Sequence, residues 1–314
     1  MLCLWCLKNA FMLLSFEGFE SLARYSVGAS RFTPSPAPAG YQGHSRWLVC
    51  PFVFSIASHV PMAIMILLAA LCAVSVTHAA DGAVSYLLLD ANRKTVTAID
   101  WSAADVPVPV GSLVKPFTAI AYGQRHRMRF PIYECVGANC WLKTGHGRIG
   151  LAAAIAHSCN SYFRQLAEDV PIADVREVAN RFGLRAPPWD SGRDALFGMG
   201  SEWRVSPIEA ARAYAELAAR RTEPGVAEVI EGMRLSASLG TAAAVGAALR
   251  GPVLAKTGTA PCSHSPRAAG DGYAVVVYPG DSPRYVLLVQ VHGVTGRRAA
   301  QTAALLLRDL TGGR

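Results

Sequence analysis

The chain is organised around the stretch PVGSLVKPFTA, residues 109–119, which places a hydroxyl and an amine three positions apart. If a helix begins after Gly111, Lys115 stacks over Ser112 on one helix face. A serine hydroxyl is a weak nucleophile unless a neighbouring base takes its proton, and lysine is a base only where its surroundings disfavour the ammonium. We expect that desolvation to come from apolar neighbours, namely Leu113, Val114, Phe117 and Ile120. Ser112 is therefore a candidate nucleophile and Lys115 its candidate base.

A single SxxK pattern is weak evidence, because one occurrence is expected by chance in a chain of this length. A second pattern, HSCNS at residues 157–161, follows the apolar segment Leu151 to Ala156. On a turn after a helix, Ser158 and Asn160 can direct a hydroxyl and an amide into one cleft. Taken alone, such a tripeptide is more often only a turn that ends a helix.

A third pattern, LAKTGTA at residues 254–260, combines a lysine with flanking hydroxyls on a predicted strand edge. Lys256, Thr257 and Thr259 are suited to binding a substrate carboxylate, and Gly258 permits close approach of a ligand backbone. The same three letters occur at residues 143–145, but no strand run follows Lys143 there. We therefore assign the motif to Lys256.

The flanking segments predict an α+β fold. Residues 85–90 and 95–100 indicate two strands joined by a polar turn, and residues 272–278 and 284–292 indicate a second hairpin. Apolar residues at three-to-four spacing predict helices over 150–168, 174–182, 207–221 and 297–310. We expect one antiparallel sheet built from the N- and C-terminal strands, flanked by helices and carrying an inserted, mainly helical subdomain.

Composition and charge narrow the class of protein. The chain has 314 residues, of which 52% are hydrophobic and 17% charged, so it is too apolar to be disordered. The formal net charge of +8 is dispersed, and no basic run is interleaved with aromatic residues. A nucleic-acid role therefore has little support.

The N-terminal part predicts export. Residues 62–76 form an uninterrupted apolar run that is competent to enter a membrane, and small residues follow at 77–80. We predict an N-terminal extension over 1–61, with translation starting near Met62, a signal peptide or membrane anchor over 62–80, and a catalytic domain over 81–314. The catalytic domain is then extracytoplasmic, at the periplasm or cell surface, either secreted or anchored. A buried core helix is the alternative for the apolar run.

The order SxxK, SxN, KTG resembles that of the penicillin-binding and serine β-lactamase superfamily, and three ordered motifs are far more specific than one. The resemblance covers most of residues 81–314 and is greatest to the transpeptidase domain of penicillin-binding proteins. The runs GHG at 145–147 and FGMG at 197–200 are also similar to segments of that family.

The resemblance implies a mechanism. Ser112 would attack a D-alanyl-D-alanine carbonyl of a peptidoglycan stem peptide to form an acyl-enzyme, and Lys115 would accept its proton. Ser158 and Asn160 would relay a proton to the leaving amine and hold the substrate amide. The side chains of Lys256, Thr257 and Thr259 would receive the terminal carboxylate, and the backbone N–H groups of Ser112 and Thr259 would form the oxyanion hole.

The resemblance also implies partners: peptidoglycan stem peptides, β-lactams as inhibitors, and other cell-wall synthesis proteins. Membrane contact would come only through an uncleaved N-terminal segment, and no cofactor is expected. The alternatives are a β-lactamase and a non-catalytic penicillin- or muropeptide-binding module. A β-lactamase needs a further group to activate the deacylating water, and Glu202 and Glu209 have the sequence context of helix-start and surface residues.

Four cysteines, Cys135, Cys140, Cys159 and Cys262, follow the predicted export segment. In an oxidising compartment, Cys135 and Cys140 are candidates for a disulfide that closes a small loop. We expect no metal site; a zinc site built from His126, Cys135, Cys140 and His146 is the alternative.

Overall fold

The structure, a computed structural model, describes residues 83–262 and 270–310. At its centre is an antiparallel sheet of five strands in the order β2-β1-β9-β8-β7. The strands are β1 (Val84–Asp90), β2 (Thr95–Asp100), β7 (Leu254–Ala260), β8 (Asp271–Tyr278) and β9 (Tyr285–Val291). The first and last hairpins share this sheet because β1 pairs with β9. The predicted α+β class is thus confirmed.

The sheet is covered on both faces, which explains the nearly continuous apolar sequence of β8 and β9. Alternate residues belong to two different cores: Val275 and Leu288 lie in the larger one, whereas Val276 and Leu287 lie in the smaller one. This alternation is the period-two pattern of a strand. The register therefore decides which side chains of the edge strand β7 face the larger core.

Eight helices are described: α1 (Lys115–Arg125), α2 (Leu151–Ala156), α3 (Asn160–Glu168), α4 (Ile172–Arg181), α5 (Pro207–Ala219), α6 (Val226–Ser238), α7 (Ala243–Ala248) and α8 (Gly296–Leu310). Two short 3₁₀ turns cover Gly111–Val114 and Arg193–Phe197. Two small strand pairs complete the described elements: β3 (Val108–Pro109) with β6 (Arg204–Val205), and β4 (Tyr133–Cys135) with β5 (Gly147–Ile149).

Helices α1 to α7 all lie between β2 and β7 along the chain. Most of the buried side chains of α1 to α6 share one core with one face of the sheet, in which Phe117 and Val178 are grouped with Leu288. Val245 of α7 belongs instead to the smaller core on the other face. The closing helix α8 packs its alanine face, including Ala299 and Ala303, in the smaller core on the other side. Because the larger core includes both the helices and the sheet, the inserted helical subdomain stays a prediction.

Two sequence expectations differ from the structure. The helix expected over 150–168 is interrupted, because Ser158 adopts a left-handed φ of 52° between α2 and α3. Helices α6 and α7 were not predicted. The expected export segment lies outside the described residues. Within residues 83–262 and 270–310, no helix is both long and apolar enough to cross a bilayer.

Candidate active site

The nucleophile segment leads from a 3₁₀ turn into α1. Ser112 and Lys115 are three residues apart at this junction, a spacing that places both side chains on one face. Leu113 and Val114 are anchored in the core, while Ser112 remains partly exposed. The buried hydroxyl of Tyr214 donates a hydrogen bond of 2.8 Å to the Leu113 carbonyl. The turn is thus held from behind while the serine faces outward.

Lys115 is fully buried. Its Nζ donates to the Ser158 carbonyl at 3.1 Å and to Asn160 Oδ1 at 2.5 Å. Burial lowers the pKa of Lys115 to about 7, opposed in part by the Cys159 and Cys140 thiols. A substantial fraction of this amine is therefore neutral near pH 7, as a general base requires.

Two aromatic residues that were not predicted to contact Lys115 contribute to its desolvation. The rings of Phe163 and Phe197 lie 5.4 and 5.9 Å from its Nζ, measured to the ring centroids. Both rings arrive from distant parts of the chain, on α3 and on the second 3₁₀ turn. Only the tertiary fold brings them to Lys115.

The second motif forms the turn between α2 and α3. Ser158 is buried, and its Oγ accepts a hydrogen bond of 2.9 Å from Lys256 Nζ. Asn160 begins α3, and its Nδ2 contacts Met199 Sδ at 3.6 Å while its Oδ1 holds Lys115. The turn therefore joins both lysines of the site through one serine and one asparagine.

The third motif lies on β7, at the edge of the sheet as expected. Lys256 is paired in register with Val275, whose side chain belongs to the larger core, so the lysine points to the same face. It is fully buried and also donates to the Thr257 carbonyl at 2.7 Å. Burial, followed by the charge of Lys115, holds the pKa of Lys256 well below its usual range.

The hydroxyls of this strand are also fixed. Thr257 Oγ1 and Thr241 Oγ1 are 2.6 Å apart, and Thr259 Oγ1 accepts a hydrogen bond of 2.9 Å from the Gly296 amide. Gly258 lines the cleft, and its predicted role toward a ligand backbone stays a prediction. A Cβ atom there would lie 2.4 Å from the Val110 carbonyl oxygen, so a glycine is also needed for the close packing of β7 against the nucleophile segment.

These elements enclose a cleft of about 350 Å³. Its lining includes six of the residues predicted from sequence: Ser112, Ser158, Asn160, Thr257, Gly258 and Thr259. Lys115 and Lys256 lie buried beneath them. The rejected Lys143 lies exposed in the turn before β5 and does not line the cleft.

The remaining lining residues are Trp141, Met199, Thr241, Thr295 and Arg297. Trp141 donates its indole N–H to the His157 carbonyl at 2.9 Å, and Arg297 lies 5.4 Å from the Trp141 ring centroid. Sequence reasoning assigned no role to Trp141 or Arg297, and no local pattern marks either residue. Met199 lies in the FGMG segment, which was noted only for its similarity to the family.

The predicted disulfide between Cys135 and Cys140 is not formed in the structure, where both residues carry free thiols. Cys159 also has a free thiol, and its Sγ lies 3.9 Å from that of Cys140. All three sulfur atoms lie close to the ring of His146, directly behind the second motif. His126, expected as a zinc ligand in the alternative, instead stacks on Tyr122 with 4.0 Å between ring centroids.

Comparisons with known proteins identify the fold. A family model described as the penicillin binding protein transpeptidase domain matches residues 73–310. A search of curated proteins found no match. Among solved structures, PBP2 of Pseudomonas aeruginosa in complex with WCK 5153 superposes with a TM-score of 0.61 at 19% identity, covering 74% of this chain and 71% of that one.

Two other solved structures are similar. The transpeptidase domain of Burkholderia pseudomallei penicillin-binding protein 3 gives a TM-score of 0.60 at 19% identity, over 81% of this chain and 95% of that one. PBP2 of Helicobacter pylori, solved in complex with MreC, gives 0.61 at 17% identity and covers 73% of this chain. The present chain spans 60% of that Helicobacter chain.

Proposed function

Because this chain belongs to the family of penicillin-binding protein transpeptidase domains, we propose that it is an extracytoplasmic serine acyltransferase acting on D-alanyl-D-alanine ends of peptidoglycan stem peptides. The observation that carries this proposal is the convergence of Ser112, Ser158 and Asn160 on one cleft, above two buried lysines. A non-catalytic module has no need of two lysines without carboxylate partners in a dry interior, where charge is costly.

In the proposed acylation, Ser112 Oγ attacks the carbonyl carbon of the penultimate residue and Lys115 takes the hydroxyl proton. Lys115 suits this role because its lowered pKa, about 7, leaves neutral amine at neutral pH. The backbone N–H groups of Ser112 and Thr259 would stabilise the tetrahedral oxyanion. The close approach of β7 to the nucleophile segment at Gly258 supports this placement.

Collapse of the tetrahedral intermediate breaks the C–N bond, and the leaving amine needs a proton. Ser158 is the proposed donor, since its hydroxyl lies in the cleft. The ammonium form of Lys256, with Nζ 2.9 Å from Ser158 Oγ, would replace that proton and become the neutral amine. The products are free D-alanine and a Ser112 ester. Transfer of that ester to a second stem-peptide amine is transpeptidation, and transfer to water is carboxypeptidation.

The cleft also supports lasting acylation by β-lactams over their rapid hydrolysis. No carboxylate lines it among the described residues, so no acidic base for a deacylating water is evident there. Glu209 instead caps α5 together with Ser206, and Glu202 accepts a hydrogen bond from the Gly192 amide. We propose that β-lactams inhibit this protein.

Location and partners follow as further proposals. The apolar run before residue 80 supports an extracytoplasmic catalytic domain held by, or released from, the membrane. The similarity to a Helicobacter PBP2 solved with MreC supports other cell-wall synthesis proteins as partners.

The test is covalent labelling of the purified full-length chain by a fluorescent penicillin. We expect durable labelling of the wild type and none of Ser112→Ala, whose fold is expected to persist because no hydrogen bond in the described residues uses its hydroxyl. Ser238→Ala, on the exposed side of α6, is the matched control and should label normally. Equal labelling of Ser112→Ala contradicts the assignment; rapid drug turnover by the wild type moves the function to β-lactamase; and absence of labelling in a folded sample favours a binding-only module.

A further inference from the structure

We propose that Cys135, Cys140, His146 and Cys159, here called the Cys/His cluster, bind one structural Zn²⁺ ion. The four ligand atoms lie within 4.8 Å of one another, although the residues come from the β4–β5 hairpin and from the start of α3. The three cysteines are buried and His146 is partly buried. This donor set, three thiols and one imidazole, is typical of structural zinc sites.

Three of the six distances between ligand atoms of the Cys/His cluster are close to those of tetrahedral zinc. With Zn–S bonds of about 2.3 Å and a Zn–N bond of about 2.05 Å, tetrahedral angles give about 3.8 Å between sulfur atoms and about 3.6 Å between sulfur and nitrogen. The observed separations are 3.9 Å between the Cys140 and Cys159 sulfurs, and 3.5 and 3.6 Å from His146 Nδ1 to the sulfurs of Cys135 and Cys140. A disulfide would instead require about 2.05 Å between sulfur atoms.

Local structure presents each ligand. Cys135 ends β4, Cys140 lies in the loop that follows, and His146 immediately precedes β5, so one hairpin supplies three ligands. The fourth, Cys159, is the N-cap of α3, and its sulfur accepts a hydrogen bond from the Tyr162 amide at 3.5 Å. A hydrogen bond from a backbone amide to the sulfur of a metal ligand stabilises the thiolate form of that ligand.

The site is predicted to be structural. Four protein donors complete the usual tetrahedral coordination of zinc and leave no position for substrate or water, in contrast to catalytic zinc sites. On binding, zinc would displace the protons of three buried thiols and bond to the imidazole. These metal bonds would also link the small β4–β5 hairpin, which has little core of its own, to the main domain. The three thiolates would exceed the charge of Zn²⁺ by one, which leaves the site with a net charge of −1.

The position of Cys159 links this zinc to the active site. Cys159 is the middle residue of the SxN motif, between Ser158 and Asn160, and Ser158 has a left-handed φ of 52° that is unfavourable for a non-glycine residue. The neighbouring Trp141, one residue after Cys140, holds the His157 carbonyl at 2.9 Å. A metal at the Cys/His cluster would therefore restrain the turn that contains Ser158 and Asn160, and so position these two residues in the cleft.

The first test is metal content, which is read without penicillin and so is independent of the proposed function. The full-length chain, purified from zinc-supplied cells without chelator, should contain about one zinc per chain by elemental analysis. Cys140→Ala should lose the metal, whereas Cys262→Ala, which removes the fourth described cysteine outside the cluster, should keep it. A folded wild-type chain that neither carries nor takes up zinc would overturn the proposal.

A second measurement covers the case in which Cys140→Ala fails to fold. Wild-type chain exchanged with Co²⁺ should show the visible bands of tetrahedral cobalt and the ultraviolet charge-transfer band of thiolate coordination; octahedral spectra without that band would contradict the site. Peptide mapping under non-reducing conditions should find the cluster thiols unpaired. A disulfide between any two of them in the native chain would also overturn the proposal.

The link to the catalytic turn has its own readout. Removing zinc with a chelator should lower the thermal midpoint, because a ligand that binds only the folded state stabilises it. It should also slow penicillin acylation, with both restored by added zinc. If zinc binds but its removal changes neither quantity, the positioning role is wrong.

Discussion

Lys256 donates a hydrogen bond of 2.9 Å to Ser158 Oγ, although the two residues are 98 positions apart. The contact connects the sheet edge to the turn between α2 and α3, and it gives the proposed proton donor a source of protons. The binding of a substrate carboxylate by Lys256 stays a prediction, and the structure adds that its amine donates to Ser158 Oγ and to the Thr257 carbonyl.

The first prediction concerns Lys256→Met, which keeps the length of the side chain and removes its amine. We expect the rate constant of acylation by fluorescent penicillin to fall by about 10² to 10⁴, the usual range for a proton-transfer group. Stability should change little, because a fully buried lysine carries a desolvation cost that methionine does not.

Acylation rates and thermal midpoints of both proteins check this prediction. An unchanged rate in the Lys256→Met variant would rule out the proton-supply role. A large fall in the thermal midpoint would mean that Lys256 mainly stabilises the fold.

The second prediction is the pH dependence of acylation. Lys115 must be neutral to accept the Ser112 proton, and burial lowers its pKa to about 7. Below that pH the amine is protonated and cannot act as a base, so the rate should rise with pH through about 7 and then level off. Single-turnover labelling across about pH 5 to 9 measures this profile. A rate that is flat, or that falls with rising pH through neutrality, would contradict the role of Lys115.

The third prediction tests the packing that positions Ser112. Gly198 has φ 82°, and a Cβ atom there would lie 2.1 Å from the Gly111 carbonyl oxygen and 2.9 Å from the Ser112 nitrogen. Gly198→Ala should therefore displace the nucleophile turn and slow acylation by about 10²-fold, since a shift of about 1 Å is enough for such a loss.

Gly200→Ala is the matched control for Gly198→Ala. Gly200 has a similar φ of 76° but nothing within 4 Å of its Cβ position, so this variant carries the backbone strain without the clash. We expect both variants to lose about 1 to 2 kcal/mol of stability from that strain. If their acylation rates fall equally, the effect is strain and the contact with the nucleophile turn is unimportant.

The fourth prediction concerns the anchor behind the nucleophile turn. Tyr214→Phe removes the hydroxyl that donates to the Leu113 carbonyl and leaves that acceptor buried without a partner. The free energy of unfolding should fall by about 1 to 3 kcal/mol. Tyr278→Phe removes a similar bond, to the Arg250 carbonyl at 2.9 Å, but at an exposed position where water can replace it.

Urea unfolding of the two tyrosine variants makes the comparison. The Tyr278→Phe variant should lose clearly less stability than Tyr214→Phe. Equal losses would show that burial of the Leu113 carbonyl does not decide the cost.

The sequence determined the elements that follow from local chemistry. The two terminal hairpins were predictable from their β-branched runs and polar turns, and the start of α1 from the Gly111 to Pro116 stretch. The three motifs predicted Ser112, Ser158 and Thr259 in one site, and these residues line the same cleft. Their motifs could be recognised because each lies on a turn or strand edge with its own sequence pattern. Helix α6 was missed although its apolar residues are spaced like those of the predicted helices.

Contacts between segments that are distant along the chain could not be predicted from the sequence and are seen only in the folded structure. Phe163 and Phe197 desolvate the amine of Lys115, and Trp141 and Arg297 complete the cleft. No metal site was expected, and the Cys/His cluster contains Cys159 in the place that the zinc alternative gave to His126. The physical reason is the same for each. Burial, lowered pKa values and metal-ligand geometry depend on distances between atoms of different elements, which helix and strand periodicity do not encode.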